Sequence, residues 1–221
     1  MEHTSRMSFR CRSQSGMTLI ETVIAFGVLT AAILGPVPLV AFSMGQTQAS
    51  QNKLIATNLG QEGIELLRAI RENNVICDTP EGTVAWNADP AGGQPLGEAP
   101  NNFFIVDATT KTSASCGSPT AFQTPLPTPV DQTTCTTKPL NLDADGTYTY
   151  APGGTATPFR RCIVICVPSS AAPCNGTADG DVDALGKDGK PNQMEVVSKV
   201  FWTESVVPKS IEFRERLYNW R

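Results

Sequence analysis

Histidine is nearly missing from this chain: His3 is the only one among 221 residues. With no imidazole beyond position 3, the body of the chain has no Ser-His-Asp or Cys-His relay and no His-bearing metal site. Carboxylate-only or lysine-based catalysis survives that absence, but no paired constellation points to either, so an enzyme is not expected. A basic stripe is missing too. The formal charge is −4, no basic–aromatic run occurs, and the Lys and Arg residues after position 50 are scattered among acids, as on a solvated surface. Nucleic acid is therefore not an expected partner. Paired zinc knuckles are absent, since Cys162-x3-Cys166 departs from CxxC spacing and has no counterpart. No internal repeat is visible.

What the chain does have is seven cysteines and a very uneven spread of apolar residues. Mean hydropathy is −0.13, yet nearly all of residues 17–44 is apolar, and residues 78–158 are rich in Gly, Pro, Thr, Asn and Ala. Cys11 precedes the apolar segment. Cys77, Cys116, Cys135, Cys162, Cys166 and Cys174 all follow it. An even number on one side is what an oxidising compartment outside the cytoplasm favours, so disulfides are expected in preference to zinc, with the connectivity open.

Residues 1–16 (MEHTSRMSFRCRSQSG) carry Arg6, Arg10 and Arg12 against one acid, Glu2. Residues 22–42 contain no charge and as a helix would rise about 30 Å, enough to cross the hydrocarbon core. The Arg-bearing flank is expected to stay cytoplasmic, which puts the C-terminal part outside. A secretory signal peptide would be cut beyond the apolar run, near Thr47-Gln48-Ala49, but the run is longer than such a core. A plain single-span anchor fits the length. Neither reading explains Glu21, because a carboxylate costs about 2.5–3.5 kcal/mol at the bilayer centre. The bland alternative is that Glu21 lies close enough to the headgroups to be tolerated.

Gly16-Met17-Thr18-Leu19-Ile20-Glu21 closely resembles the type IV prepilin processing motif: Gly, an apolar residue, Thr-Leu-Ile, then Glu. The resemblance covers residues 1 to about 73. It implies that a prepilin peptidase/methyltransferase cuts between Gly16 and Met17 and methylates the new amine of Met17. Met17 replaces the family's usual Phe, but it is apolar and unbranched at Cβ. Cleavage would discard His3 and Cys11 together. Glu21 is four residues on, so in a helix it lies on the same face as Met17, one turn away. The resemblance implies that Glu21 pairs with that amine, in the family preferably a neighbour's, and so sets axial register. A buried charge that misses its partner costs several kcal/mol. The implied partners are like subunits, the inner-membrane assembly platform and the peptidase. The implied role is a minor pilin or pseudopilin of a type IV pilus, a type II secretion pseudopilus or a DNA-uptake pilus. Two other classes stand beside it: a disulfide-rich adhesin or substrate-binding tip on the same stalk, and an unrelated single-span protein with an extracytoplasmic domain.

The expected fold is α+β, one long N-terminal helix laid on a small antiparallel sheet. The divisions are a leader (1–16), a membrane or filament-core helix (17–44), an amphipathic spine (45–74), a loop-rich region (75–158) and a sheet region (159–221). Gly35-Pro36-Val37-Pro38 is expected to interrupt the helix, each proline removing a donor and the pair weakening it more than one would. Ala56, Leu59, Gly63, Leu66 or Leu67, and Ile70 recur at helical steps, with the helix ending near Asn74. Gly45, Gly60 and Gly63 read as tolerated rather than required. Asn102–Asp107, Phe159–Val167, Glu195–Thr203 and Lys209–Trp220 read as strands, and the proline-rich tract Ser118–Val130 as an extended surface loop. On a strand Cys162 and Cys166 share a face, so each is expected to reach a loop cysteine such as Cys135 or Cys174. Two acidic loops resemble parts of a calcium loop. Asn141-x-Asp143-x-Asp145-Gly146 has Pro152 at the twelfth position, and Asp179-x-Asp181-x-Asp183 lacks the glycine. Some pseudopilins bind calcium through such loops, although solvated Asp-Gly turns are commoner. No other cofactor is expected.

Overall fold

The computed structural model describes residues 16–77, 85–90, 95–97, 102–113, 123–167, 192–204 and 206–219. The leader up to residue 15, Cys116, Cys174 and the Asp179–Asp183 loop lie outside them. The chain divides into two compact units, Met1–Ser50 and Gln51–Arg221. The architecture is α+β.

In the first unit, helix α1 (Leu19–Leu34) buries none of its residues. Its hydroxyls are satisfied within the helix: Thr22 Oγ1 donates to the Leu19 carbonyl at 2.7 Å and Thr30 Oγ1 to that of Phe26 at 2.9 Å. Back-bonding of this kind lets threonine sit in an apolar helix without an unpaired donor. Gly35 stays in the αR region and donates to Ala31 at 3.2 Å. Helix α2 (Pro36–Cys77) then begins on a proline. The boundary between α1 and α2 thus falls at Gly35, which keeps its own bond to Ala31, while Pro36 and Pro38 supply no backbone donor to the ladder beyond it. The helical run from Leu19 is long and apolar enough to cross a membrane.

Among the described residues the second unit contains the rest of α2, a short helix α3 (Gln132–Thr137) and ten strands: β1 (Phe103–Ile105), β2 (Lys111–Ser113), β3 (Gln123–Pro125), β4 (Thr128–Pro129), β5 (Asn141–Leu142), β6 (Tyr148–Thr149), β7 (Thr155–Ala156), β8 (Arg160–Cys166), β9 (Gln193–Glu204) and β10 (Val207–Tyr218). The main sheet is antiparallel in the order β10-β9-β8-β1-β4, with β2–β3 and β6–β5–β7 as small separate sheets. Side chains alternate cleanly along β9: Met194, Val196, Ser198, Val200 and Trp202 point inward. Cross-strand register carries that face onto Arg161, Ile163 and Ile165 of β8, and onto Ile211, Phe213 and Leu217 of β10.

The helix meets this face with Ala56, Leu59, Ile64, Leu67 and Ile70, which form two adjoining clusters with the inward strand residues. Leu67, not Leu66, is the fully buried member of the pair. Gly60 and Gly63 are more than tolerated. A Cβ on Gly63 would lie 2.4 Å from Ser198 Oγ and 3.2 Å from Arg161 Cδ, and one on Gly60 would lie 2.4 Å from the Phe213 ring. Both glycines exist so that the sheet can approach the helix backbone.

Three further differences from the sequence reading have local causes. Helix α2 runs to Cys77, whose side chain is buried and disulfide-bonded, so tertiary contact carries it past the polar Asn73-Asn74. The loop-rich region contains α3, capped by Asp131 accepting from Thr134 N at 2.7 Å. The described part of the proline-rich tract forms β3 and β4, and Pro129 sits on the sheet-edge strand, where a missing donor leaves no ladder bond unmade.

Gly63→Ala is expected to destabilise the second unit by about 1–3 kcal/mol through overpacking, despite better helix propensity. Adding Ser198→Ala removes the clashing oxygen and should restore most of the loss. Urea unfolding of the single and double variants, followed by tryptophan fluorescence, measures that coupling.

Candidate functional site

Met17 and Gly16 precede the first helix, and Thr18 is its N-cap with extended backbone (φ −77°, ψ 150°). The main chain turns into the helix there, with Glu21 N and Thr22 N donating to the Thr18 carbonyl at 3.0 and 3.2 Å. Thr18 and Glu21 have the spacing of a capping box, yet the Thr18 hydroxyl makes no cap bond. Glu21 thus stands in the first turn of α1, where the helix dipole favours a carboxylate. It is exposed among Leu19, Ile20 and Val23, themselves exposed, and its carboxylate makes no hydrogen bond or ion pair with any described residue. Its chemistry is that of a cation acceptor set in an apolar surface.

Met17 lies outside the helix, which starts at Leu19, so one-turn stacking of Met17 on Glu21 is not formed in the uncut chain.

The cysteines form the second constellation. Cys135 on α3 is bonded to Cys162 on β8 across a Cα–Cα distance of 5.0 Å. Both are buried. Register places Cys162 and Cys166 on the same face, opposite the one that meets α2, and Cys166 and Cys77 are each disulfide-bonded as well. Cys162 thus reaches Cys135, one of the two loop cysteines expected for it, although that loop carries a helix.

Of the calcium candidates, Asn141, Asp143 and Asp145 belong to the β5–β6 hairpin. Asp143 N donates to the Thr147 carbonyl at 2.9 Å, and Gly146 takes φ +78° at the turn. Asn141 Nδ2 donates to the Ala151 carbonyl at 2.9 Å, and Asp143 Oδ1 accepts from Ala144 N at 2.8 Å. Among the described residues no group of three or more His, Cys, Asp or Glu side chains is placed to hold a metal ion.

Sequence reasoning missed two buried charges. Arg161 is fully buried and pairs with Glu62 of α2 at 2.9 Å, while also donating to the carbonyls of Leu59 and Val106. Tyr150 closes the same cluster by donating its hydroxyl to the Arg161 carbonyl, and burial pushes its pKa up to about 12. Strand alternation contains the signal, since Arg161 shares a face with Ile163 and Ile165. Asp107 is the second. Its carboxylate accepts from the backbone of Thr109 (3.0 Å), Thr110 (2.7 Å) and Tyr150 (2.9 Å), and from the hydroxyls of Thr109 (2.9 Å) and Thr149 (3.0 Å). Burial works to raise its pKa, but these donors outweigh it and hold it at about 2. With its lone pairs taken, Asp107 ties the turn after β1 to β6 and is not free to hold a ligand. The Asp-x-Thr-Thr run is the visible trace of this turn.

Because the folded pKa of Asp107 lies below the unfolded value near 3.9, its contribution is complete above about pH 4 and disappears as pH falls through about 2. Wild type is expected to lose about 2 kcal/mol over that window from this group. Asp107→Asn should be weaker at pH 7 and flatter between pH 4 and 2. Denaturant unfolding across that range checks it.

No protein-family model, no curated protein and no solved structure matches this chain.

Proposed function

We propose that this chain is a structural subunit, a minor pilin or pseudopilin, of a type IV pilus-like or type II secretion-like filament. The observation that carries the reading is Glu21: a carboxylate with no partner among the described residues, in the first turn of a helix that buries none of its residues and four residues beyond Met17 of a prepilin-type cleavage junction. In this reading a prepilin peptidase cuts after Gly16 and methylates Met17. Cleavage leaves an ammonium at Met17. Glu21 of one subunit then accepts from the amine of a neighbour as the apolar helices leave the bilayer and pack together.

Sidedness follows from the same reading. Arg6, Arg10 and Arg12 hold the leader in the cytoplasm, and the second unit, with its disulfides, folds in an oxidising compartment. The protein is a substrate of the peptidase and a building block, with no reaction of its own. Its pilin-like character rests on the six-residue junction and on the layout of a helix carried on an antiparallel sheet.

Glu21→Ala should be processed and inserted like wild type, yet be depleted from sheared filaments by at least about tenfold, since a filament-core amine would be left unpaired. Immunoblotting of membrane and filament fractions reads both quantities. Normal incorporation would show that the pairing is unnecessary.

A further inference from the structure

Strand β10 forms one edge of the main sheet and β4 the other. A sheet edge presents a row of unpaired N–H and C=O groups, which proteins usually blunt. β4 is blunted, being two residues long and ending on a proline. β10 has twelve residues, and only Pro208 near its start lacks a donor.

Register shows which of its groups are free. Asn219 N donates to the Asn192 carbonyl at 2.7 Å, and the same register pairs Val207 with Glu204. Hydrogen-bonded pairs alternate with non-bonded ones along an antiparallel ladder, so odd-numbered residues of β10 bond β9 and even-numbered ones point away from it. The Tyr218 carbonyl agrees, since it accepts from Arg71 Nη1 at 3.3 Å, outside the sheet. The N–H groups of Ser210, Glu212, Arg214 and Arg216 therefore line the edge, with no acceptor among the described residues. They recur about every 6.6 Å and alternate with their own carbonyls, a pattern that only another extended backbone can answer.

Beside this row lies a groove of about 440 Å³ lined by Gln61, Ile64, Glu65, Phe213, Arg214 and Glu215. Phe213 is only half-buried there. Opposite residues on paired strands share a face, so an added strand would set the side chain opposite Phe213 into the groove. Helix α2 leaves room for it, since Gly63 stands over Ser198 of β9, two strand spacings or about 9.6 Å away.

Charge selects the chemistry of that strand. Glu212 is paired with Arg214 and Lys199, and Glu215 with Arg68. Lys209 and Arg216 are exposed and have no ion pair among the described residues. The unpaired charge along this edge is thus wholly basic, which attracts an acidic strand and repels a basic one. The β10 of a second copy answers it poorly, because it carries the same two cations.

We propose that the free edge of β10 docks an extended acidic segment of a partner protein, added to the sheet as an antiparallel strand with an apolar residue in the Phe213 groove. The proposal goes beyond the proposed function and stands on the second unit alone, so its failure would leave the filament reading untouched.

The test uses the full-length chain in detergent micelles and a synthetic threonine-rich peptide, with glutamate placed to face Arg216 and Lys209 and leucine to face Phe213. With peptide in excess, amide hydrogen exchange read by mass spectrometry is expected to slow at least about tenfold across residues 210–216 and to stay unchanged at β4. Unchanged exchange in β10, or equal slowing at both edges, would overturn the proposal. So would protection of β10 that rises with protein concentration in the absence of peptide, which would assign the edge to a second copy. Lysine in place of both glutamates should weaken binding at least about tenfold, and Arg216→Glu should reverse part of that preference; equal binding of both peptides would contradict an acidic partner. Ser210→Pro removes one outward donor, as Pro208 already does. Its melting should match wild type while peptide affinity falls severalfold; undiminished affinity would contradict backbone pairing.

Discussion

An apolar helix that buries none of its residues has no stable existence in water. Each square ångström left uncovered forgoes about 25 cal/mol, and α1 leaves Leu19, Ile20, Val23, Ile24, Phe26, Val28, Leu29, Ile33 and Leu34 uncovered. Something outside the chain must supply the cover. A bilayer can do so, and so can a bundle of identical helices. For the proposed filament subunit Glu21 distinguishes the two, because lipid would offer a carboxylate nothing whereas a neighbour's ammonium would offer it a partner. In the proposed function the helix is therefore matched to both surroundings, with Glu21 as the reason to exchange one for the other.

The second unit is held together by different means. Contacts at Gly60 and Gly63 decide how closely its sheet lies on its part of helix α2. Close approach there brings Arg161 against Glu62 and the Leu59 carbonyl. That pair adds little net stability after desolvation, yet losing either partner would strand a buried charge, which fixes helix and sheet in one register. The opposite face of the sheet is secured by covalent bonds instead, with Cys162 holding α3 against β8. Packing thus secures one face of the sheet and cross-linking the other.

The legible parts of the sequence were those with long periodic signals. Helix α2 and strands β8, β9 and β10 follow from apolar spacing over seven or more residues, and their faces came out as the alternation demands. Short elements did not announce themselves: α3 is six residues, mostly threonine and glutamine, and its place depends on the bond from Cys135. Asp107 was invisible for another reason, since its donors Thr149 and Tyr150 lie more than forty residues away along the chain. The glycines were misjudged because helix propensity counts only their cost, while their value depends on Ser198 and Phe213 from distant strands. The candidate assembly site is read from the motif alone, and the motif does not reveal that Met17 lies outside helix α1 in the uncut chain.

The claim on which all of this turns is the cut between Gly16 and Met17. Intact-mass and N-terminal peptide mass spectrometry of the protein from its native membrane measures it directly. The account predicts a chain beginning at N-methylated Met17. An uncut chain, or one beginning at Ser50 as a secretory signal peptide would leave it, would contradict it.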